Sequence, residues 1–396
     1  MVKELSDTQP VEKSKKLTLF LSLGLVFLVG GISMIAVSFL LPKEEVETIS
    51  FPELFRKEET NASYSVLTGE EVNAENLTLP IYCIQTPNGT DGARPQAGLN
   101  KAGVIFEAIA EAGITRFAAI YQNPTSTVIG PIRSLRIYYL EWDTPFDCTI
   151  VHAGGSGDAL AAVRAGGYKD LTENYTYMYR GTYSVRRWNN LFTTGAYLSQ
   201  VNSDRGYGGS NAKGFTRMTP EEAEMNRVDT LASTPLKITE PTTENTSVLA
   251  AKVSALNLRF GGLASFNVHY DYDIASNSYR RSYASGAAHE VYDCPAENLG
   301  EKNPEDVCSL TVMSPKVVIA MVVKEKKAAD NYHEDITTSG SGEAYVFQNG
   351  TVIRGTWQKT NKNEQIKFLD EAGSEIKLVP GQTLISAVPN YGSVEF

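Results

Sequence analysis

The chain has 396 residues, 42% of them hydrophobic and 21% charged, with a formal net charge of −10. That composition belongs to a folded protein able to bury a core. The acidic balance excludes sequence-independent nucleic-acid binding, which needs a basic face, and gives no reason for adhesion to anionic lipid.

Leu17 to Leu41 is an unbroken apolar run without charge. As a helix it reaches about 37 Å, enough to cross a hydrocarbon layer of about 30 Å with some tilt. Lys13, Lys15 and Lys16 precede it, while Glu44, Glu45 and Glu47 follow. Positive charge stays on the cytoplasmic side, so a single-pass cell-membrane topology is expected, with everything after Pro42 outside. A cleaved signal peptide, with Ala36-Val37-Ser38 as its processing site, is the alternative. Residues 42–76 are rich in Glu with little periodicity and are expected to be a solvated spacer.

A first domain is expected over 77–232. Leu77 to Ile84 is a short apolar strand, and Asn88-Gly89 to Gly92 a loop. Val104 to Gln122 is expected to be a hairpin turning at Ala112-Gly113, with Glu107, Glu111 and Arg116 on one face. Read as a helix instead, Glu107 and Glu111 would still share a face at i, i+4. Gly130-Pro131 is expected to open a helix carrying Arg133 and Arg136. Phe146 to Val151 is a strand, followed by His152-Ala153-Gly154-Gly155-Ser156-Gly157 and a helix. Strand, glycine-rich loop and helix aim backbone N–H groups at an anion, although the spacing of nucleotide-binding loops is absent. Pro220-Glu221-Glu222 starts another helix.

Residues 233–248, dominated by Thr, Pro, Ser and Glu, are expected to be a linker. From 249 to 396 the pattern changes to consecutive hairpins, punctuated by Asn277, Asn349-Gly350, Ala372-Gly373 and Pro380-Gly381. The expected class is α+β: a mixed α/β domain followed by a smaller, mostly antiparallel β domain, on one N-terminal transmembrane helix.

The four cysteines form no CxxC or Cys/His cluster, so no metal site is expected. Cys294 and Cys308 bracket a polar segment and are expected to pair in a compartment that tolerates disulfides. Cys83 and Cys148 lie in apolar strands and could bridge only if those strands are neighbours.

Chemistry concentrates in the first domain, where Arg94, Glu107, Glu111, Arg116, Arg133, Arg136, His152, Ser156 and Asn190 are the candidate ligand-binding residues. Arginines in number suit bidentate recognition of carboxylate or phosphate. Carboxylates beside a histidine suit general acid–base work. The competing reading is an interior polar network in which these groups pair with one another. Ser156 lacks the Gly-x-Ser-x-Gly elbow of a nucleophile, and helix capping by Ser156 or Asp158 explains both residues. His289 and His333, beside Glu290 and Glu334, are expected to be satisfied structural histidines.

Four motifs then occur in order: Ala93-Arg94-Pro95-Gln96-Ala97-Gly98-Leu99, Glu111-Ala112-Gly113-Ile114-Thr115-Arg116-Phe117, Ile129-Gly130-Pro131-Ile132-Arg133-Ser134 through Arg136, and His152 to Ser156. Together they resemble the YerB-like lipoprotein family, a domain of unknown function. Gly340-Ser341-Gly342 to Phe347, Gly355-Thr356-Trp357-Gln358-Lys359 and Leu378 to Thr383 resemble its second domain. The resemblance implies a bacterial, cell-surface, two-domain protein with no established activity. This chain departs from the family in three ways. No lipobox cysteine precedes the first domain, Gln85-Thr86 replaces an acidic residue and Asn, and Trp188-Asn189-Asn190 replaces Pro-His-Asn.

The leading expectation is an envelope protein binding an anionic ligand, a peptidoglycan fragment or wall polymer, through the Arg/Glu/His cleft, without a cofactor. Its rivals are a wall-polymer hydrolase using Glu107 or Glu111 with His152, and a scaffold for wall-synthesis proteins.

Overall fold

The computed structural model describes residues 62–182, 189–227, 251–297 and 299–396. The expected membrane segment, most of the spacer and the linker at 233–248 lie outside the described residues. Among the described residues no helix is long and apolar enough to cross a membrane.

Strands β1 (Ile81–Pro87), β2 (Val104–Glu111) and β3 (Ile114–Gln122) come first, then helix α1 (Ile137–Asp143) and strand β4 (Thr149–His152). Helix α2 (Gly157–Arg164) and strand β5 (Lys169–Thr172) follow. The later half supplies β6 (Val268–Asp273), β7 (Ser278–Tyr283), β8 (Val317–Val323), β9 (Gly340–Gln348), β10 (Thr351–Lys359) and β11 (Thr383–Pro389). The class is α+β, built on one large mixed sheet of eleven strands with smaller antiparallel sheets beside it.

Along the large sheet the order is β10-β9-β8-β11-β2-β3-β1-β4-β5, with Ala251–Lys252 and Lys367–Asp370 both pairing β10. β11 runs parallel to both β8 and β2, placing Ser386 beside Glu107. The two halves of the chain therefore share one sheet. They also share a core, in which Phe106 and Trp142 pack in the same cluster as Ile319, Trp357 and Phe368. Central strands covered on both faces read as continuous apolar runs, as β8 (Val-Val-Ile-Ala-Met-Val-Val) does.

The expected hairpins form where the turn residues tolerate positive φ. Ala112 and Gly113 (φ 49° and 77°) join β2 to β3, and Asn349 and Gly350 (φ 52° and 69°) join β9 to β10. Asn277 (φ 47°) sits in the turn between β6 and β7. Residues 62–76, expected as spacer, instead hold a small hairpin, Ser63–Tyr64 with Glu71–Val72, and bury Leu67 in the core.

The helix expected at Gly130-Pro131 starts later. The Arg133 N–H donates to Gln85 O (2.8 Å), Ala153 N–H to Arg133 O (3.0 Å) and Leu135 N–H to Gly154 O (2.9 Å). Neighbouring segments occupy those backbone groups, so 133–135 lies extended between β1 and the glycine loop. α1 begins at Ile137, with Arg136 at its N-cap.

Both cysteine pairs are bridged, Cys83–Cys148 and Cys294–Cys308. The first ties β1 to the residue just before its parallel neighbour β4, since Cys83 lies opposite Ile150. With sequence separations of 65 and 14, the two bridges stabilise by about 4 and 3 kcal/mol in the chain-entropy relation.

Candidate ligand-binding site

β2 carries a bulge between Ile109 and Glu111. Before it, Glu107 pairs with Phe117 and Ala108 with Arg116 across the hairpin. Glu107 and Arg116 therefore point to opposite faces, and the extra residue moves Glu111 onto the Arg116 face. The expectation of one shared face fails for Glu107 for this reason. The bulge is pinned by α1: Tyr138 Oη donates to Ile109 O (2.7 Å), and Tyr139 Oη to Arg116 O (2.5 Å).

On its own face Glu107 is completely buried. Arg281, on β7, grips it in bidentate fashion, Nη1 to Oε2 at 2.9 Å and Nη2 to Oε1 at 2.8 Å. Thr115 Oγ1 (3.0 Å), Asn88 Nδ2 (3.4 Å) and Ser386 Oγ (3.3 Å) also donate to it. Asn88 Oδ1 accepts from Arg94 Nε (2.8 Å) and Gln96 Nε2 (3.1 Å). Gln96 Oε1 accepts from His289 Nε2 (3.0 Å), and burial, followed by Arg281 and Arg94, pushes that imidazole well below its ordinary range. The Arg94 guanidinium lies 3.7 Å from the Tyr283 ring centre. This is a polar network sealed between the two halves of the chain.

Glu111 is held by Arg116 (2.6 Å) and Arg136 (2.5 Å). Burial alone would raise its carboxyl, but the two guanidinium groups hold it below the ordinary carboxylate range. Arg116 also donates to Ser134 O (2.7 Å). A backbone bridge from Glu111 to His333 brings the 328–334 loop alongside.

Here a cavity of about 300 Å³ opens, lined on one side by Arg136, Ser156 and Gly157 and on the other by Ala328, Asp330 and His333. Ser156 occupies the N-cap of α2, yet its side chain makes no capping bond. Its Oγ is buried without a partner, as is Arg136 Nε, and the residues are only 7% and 5% exposed. The expected side-chain cap does not form; Asp158, in the first turn of α2, accepts only the neighbouring Ala159 N–H (2.8 Å). Buried polar atoms of this kind are normally paired, so two unpaired ones beside a helix N-terminus single out this wall. Arg281 Nε and Arg116 Nε also lack partners, but neither residue lines this cavity. Across the opening, Asp330 accepts the backbone N–H of Tyr332 and His333 and pairs with His333 Nδ1 at 2.5 Å.

The remaining candidates lie apart. His152 is completely buried, bonded through Nδ1 to Gly154 O (2.6 Å) and through Nε2 to Asp170 (2.9 Å). Neither glutamate is among its partners. Arg133 donates to Asn189 Oδ1 (2.9 Å), and Asn189 Nδ2 donates to Asp91 Oδ1 (3.1 Å). Asn190 accepts from Arg180 (2.9 Å). A second cleft, about 630 Å³, lies beside Cys294, where Lys101 and Asp293 neutralise each other at 2.7 Å.

Sequence reasoning missed Arg281, Asn88 and Gln96. One signal was present: a Glu in the middle of a strand apolar on both faces, as Glu107 is, requires a buried cation, although nothing local says which.

Residues 67–208 match the family described as Protein of unknown function (DUF3048) N-terminal domain, and residues 256–385 its C-terminal domain. The chain is similar to a Bacillus subtilis (strain 168) protein named "Putative lipoprotein YerB", 26% identical over 306 residues covering 76% of this chain and 80% of that protein. The crystal structure of YerB from Bacillus subtilis is similar in fold, with a TM-score of 0.64 at 21% identity over 84% of this chain and all of that one. Since both family segments are matched in order and together form the shared sheet, the chain belongs to the DUF3048 family.

Proposed function

We propose that this is a membrane-anchored, extracytoplasmic envelope protein that binds an anionic ligand, a peptidoglycan fragment or wall polymer, in the cavity beside Glu111. Similarity to a lipoprotein and two disulfide bonds support the compartment. The observation that carries the binding reading is the cavity lining of Arg136 and Ser156, residues whose Nε and Oγ are buried without a partner. Of the nine candidate residues, Arg136 and Ser156 line that wall, with Glu111 and Arg116 directly behind it. Glu107 and Arg94 belong to the sealed network, while His152, Arg133 and Asn190 are engaged elsewhere.

The test is retention of the purified full chain, in mild detergent, on insoluble cell-wall material. Ser156→Leu fills the cavity without breaking any bond that Ser156 Oγ makes, so retention is expected to fall at least about tenfold, about 1.4 kcal/mol. Unchanged retention of a folded variant refutes the reading. The hydrolase reading gains no support, because His152 meets neither carboxylate.

A further inference from the structure

The two walls of the cavity differ in sign. Arg136, Ser156 and the first turn of α2 line one side; Asp330, on the facing loop, brings a carboxylate to the other, while Glu334 beside it is buried against Lys327. Around the cavity the cations are Arg116, Arg136 and Lys327, with His333 paired to Asp330, set against the carboxylates of Glu111, Asp158, Asp330 and Glu334. A purely anionic ligand therefore meets no surplus of positive charge, whatever the wall it touches. Asp158 lies at the start of α2, where a carboxylate is favoured by the helix and by the Ala159 N–H. The acidic wall is accordingly the loop, where Asp330 is 51% exposed at its side chain and able to meet a further cation.

We infer that the group recognised is a small zwitterion: a carboxylate against Arg136 and Ser156, with an ammonium against Asp330 across the cavity. The inference rests on the cavity being the ligand site and narrows the ligand to a group with a free carboxylate and a free ammonium on one amino-acid unit, as a free amino acid or a side chain ending in an unacylated amino acid carries. It favours that end group over a phosphodiester chain, which carries no ammonium.

Calorimetric titration of the full chain with alanine, N-acetylalanine and alanine methyl ester separates the possibilities. Alanine is expected to bind at least about tenfold more tightly than either blocked form, each of which lacks one charge. Asp330→Asn, which keeps an acceptor oxygen for the turn, is expected to shrink the advantage of alanine over N-acetylalanine below about twofold. Equal binding of alanine and N-acetylalanine overturns the zwitterion and leaves a plain anion site. If none of the three binds while wall material is still retained in a Ser156-dependent way, the zwitterion falls and the wider reading stands. Loss of both results removes the site itself.

Discussion

Glu107 and Glu111 stand on the same strand, four residues apart, and the bulge between them turns them to opposite faces. Glu107 is sealed: five donors converge on it, and its cation comes from a residue 174 positions away. Glu111 is shared by two arginines, with its side chain 16% exposed, and one of those arginines, Arg136, lines a cavity and has an Nε without a partner. A cluster of Arg, Glu and His can thus be architecture and binding surface at once. Which it is depends on whether the last hydrogen-bonding positions are filled by the protein or left to a ligand.

Breaking the sealed side should have the largest effect. Glu107→Ala leaves Arg281 charged and unpaired in the core, so urea unfolding is expected to show a loss of about 3–5 kcal/mol. Adding Arg281→Met is expected to restore part of that loss, because the stranded charge is gone. If the double variant is worse than the single by the full cost of a second deletion, the pair is not the unit described.

Glu111→Gln should cost less, about 2 kcal/mol, since solvent reaches that carboxylate. Its effect also depends on pH. The folded-state value of Glu111 is depressed, so its contribution is present above the unfolded carboxyl range and is lost as pH falls through the folded value. Urea midpoints at pH 7 and pH 3 are therefore expected to differ less in the variant than in the parent. An equal pH dependence in both would contradict the ion trio.

Asp143 sharpens the contrast, being a buried carboxyl given no cation at all. Burial raises it well above its ordinary range, and Gln85 Nε2 donates to its Oδ2 at 3.0 Å. Above the unfolded value the folded state holds a proton that the unfolded state releases, so stability declines with rising pH through that window. Asp143→Asn is expected to raise the melting temperature more at pH 8 than at pH 4, as scanning calorimetry can check. A uniform shift at both values would argue that Asp143 is ionised in place.

The smallest effect on stability is expected at the open side. Ser156→Ala removes a hydroxyl without a partner, so unfolding should change by no more than about 0.5 kcal/mol while retention on wall material falls. A loss of 1 kcal/mol or more would mean that Ser156 caps α2 after all.

Much of this could be read from the residues, and the failures have physical causes. Ala112-Gly113 and Asn349-Gly350 announce their turns because few other pairs tolerate positive φ. Cys294 and Cys308 are close enough in the chain to suggest their bond, whereas Cys83 and Cys148 needed β1 and β4 as neighbours. The helix placed at Pro131 was lost to tertiary hydrogen bonds at Arg133 and Leu135, which local pattern cannot foresee. The bulge at Ala110 has no signature in its own sequence, so the facing of Glu107 was misread. A second half that looked like separate hairpins was read without β11, whose parallel pairing to β2 joins both halves in one sheet.

The most direct test observes the two arginines together. In NMR spectra of the arginine Nε–H groups, with Arg136→Lys and Arg281→Lys used for assignment, soluble wall peptides are titrated into the full chain. The Arg136 signal is expected to shift and become protected from solvent exchange, while Arg281 stays protected and unmoved throughout. An Arg136 signal indifferent to the ligand, or an Arg281 signal that moves in step with it, would contradict the division of the strand into a sealed and an open side.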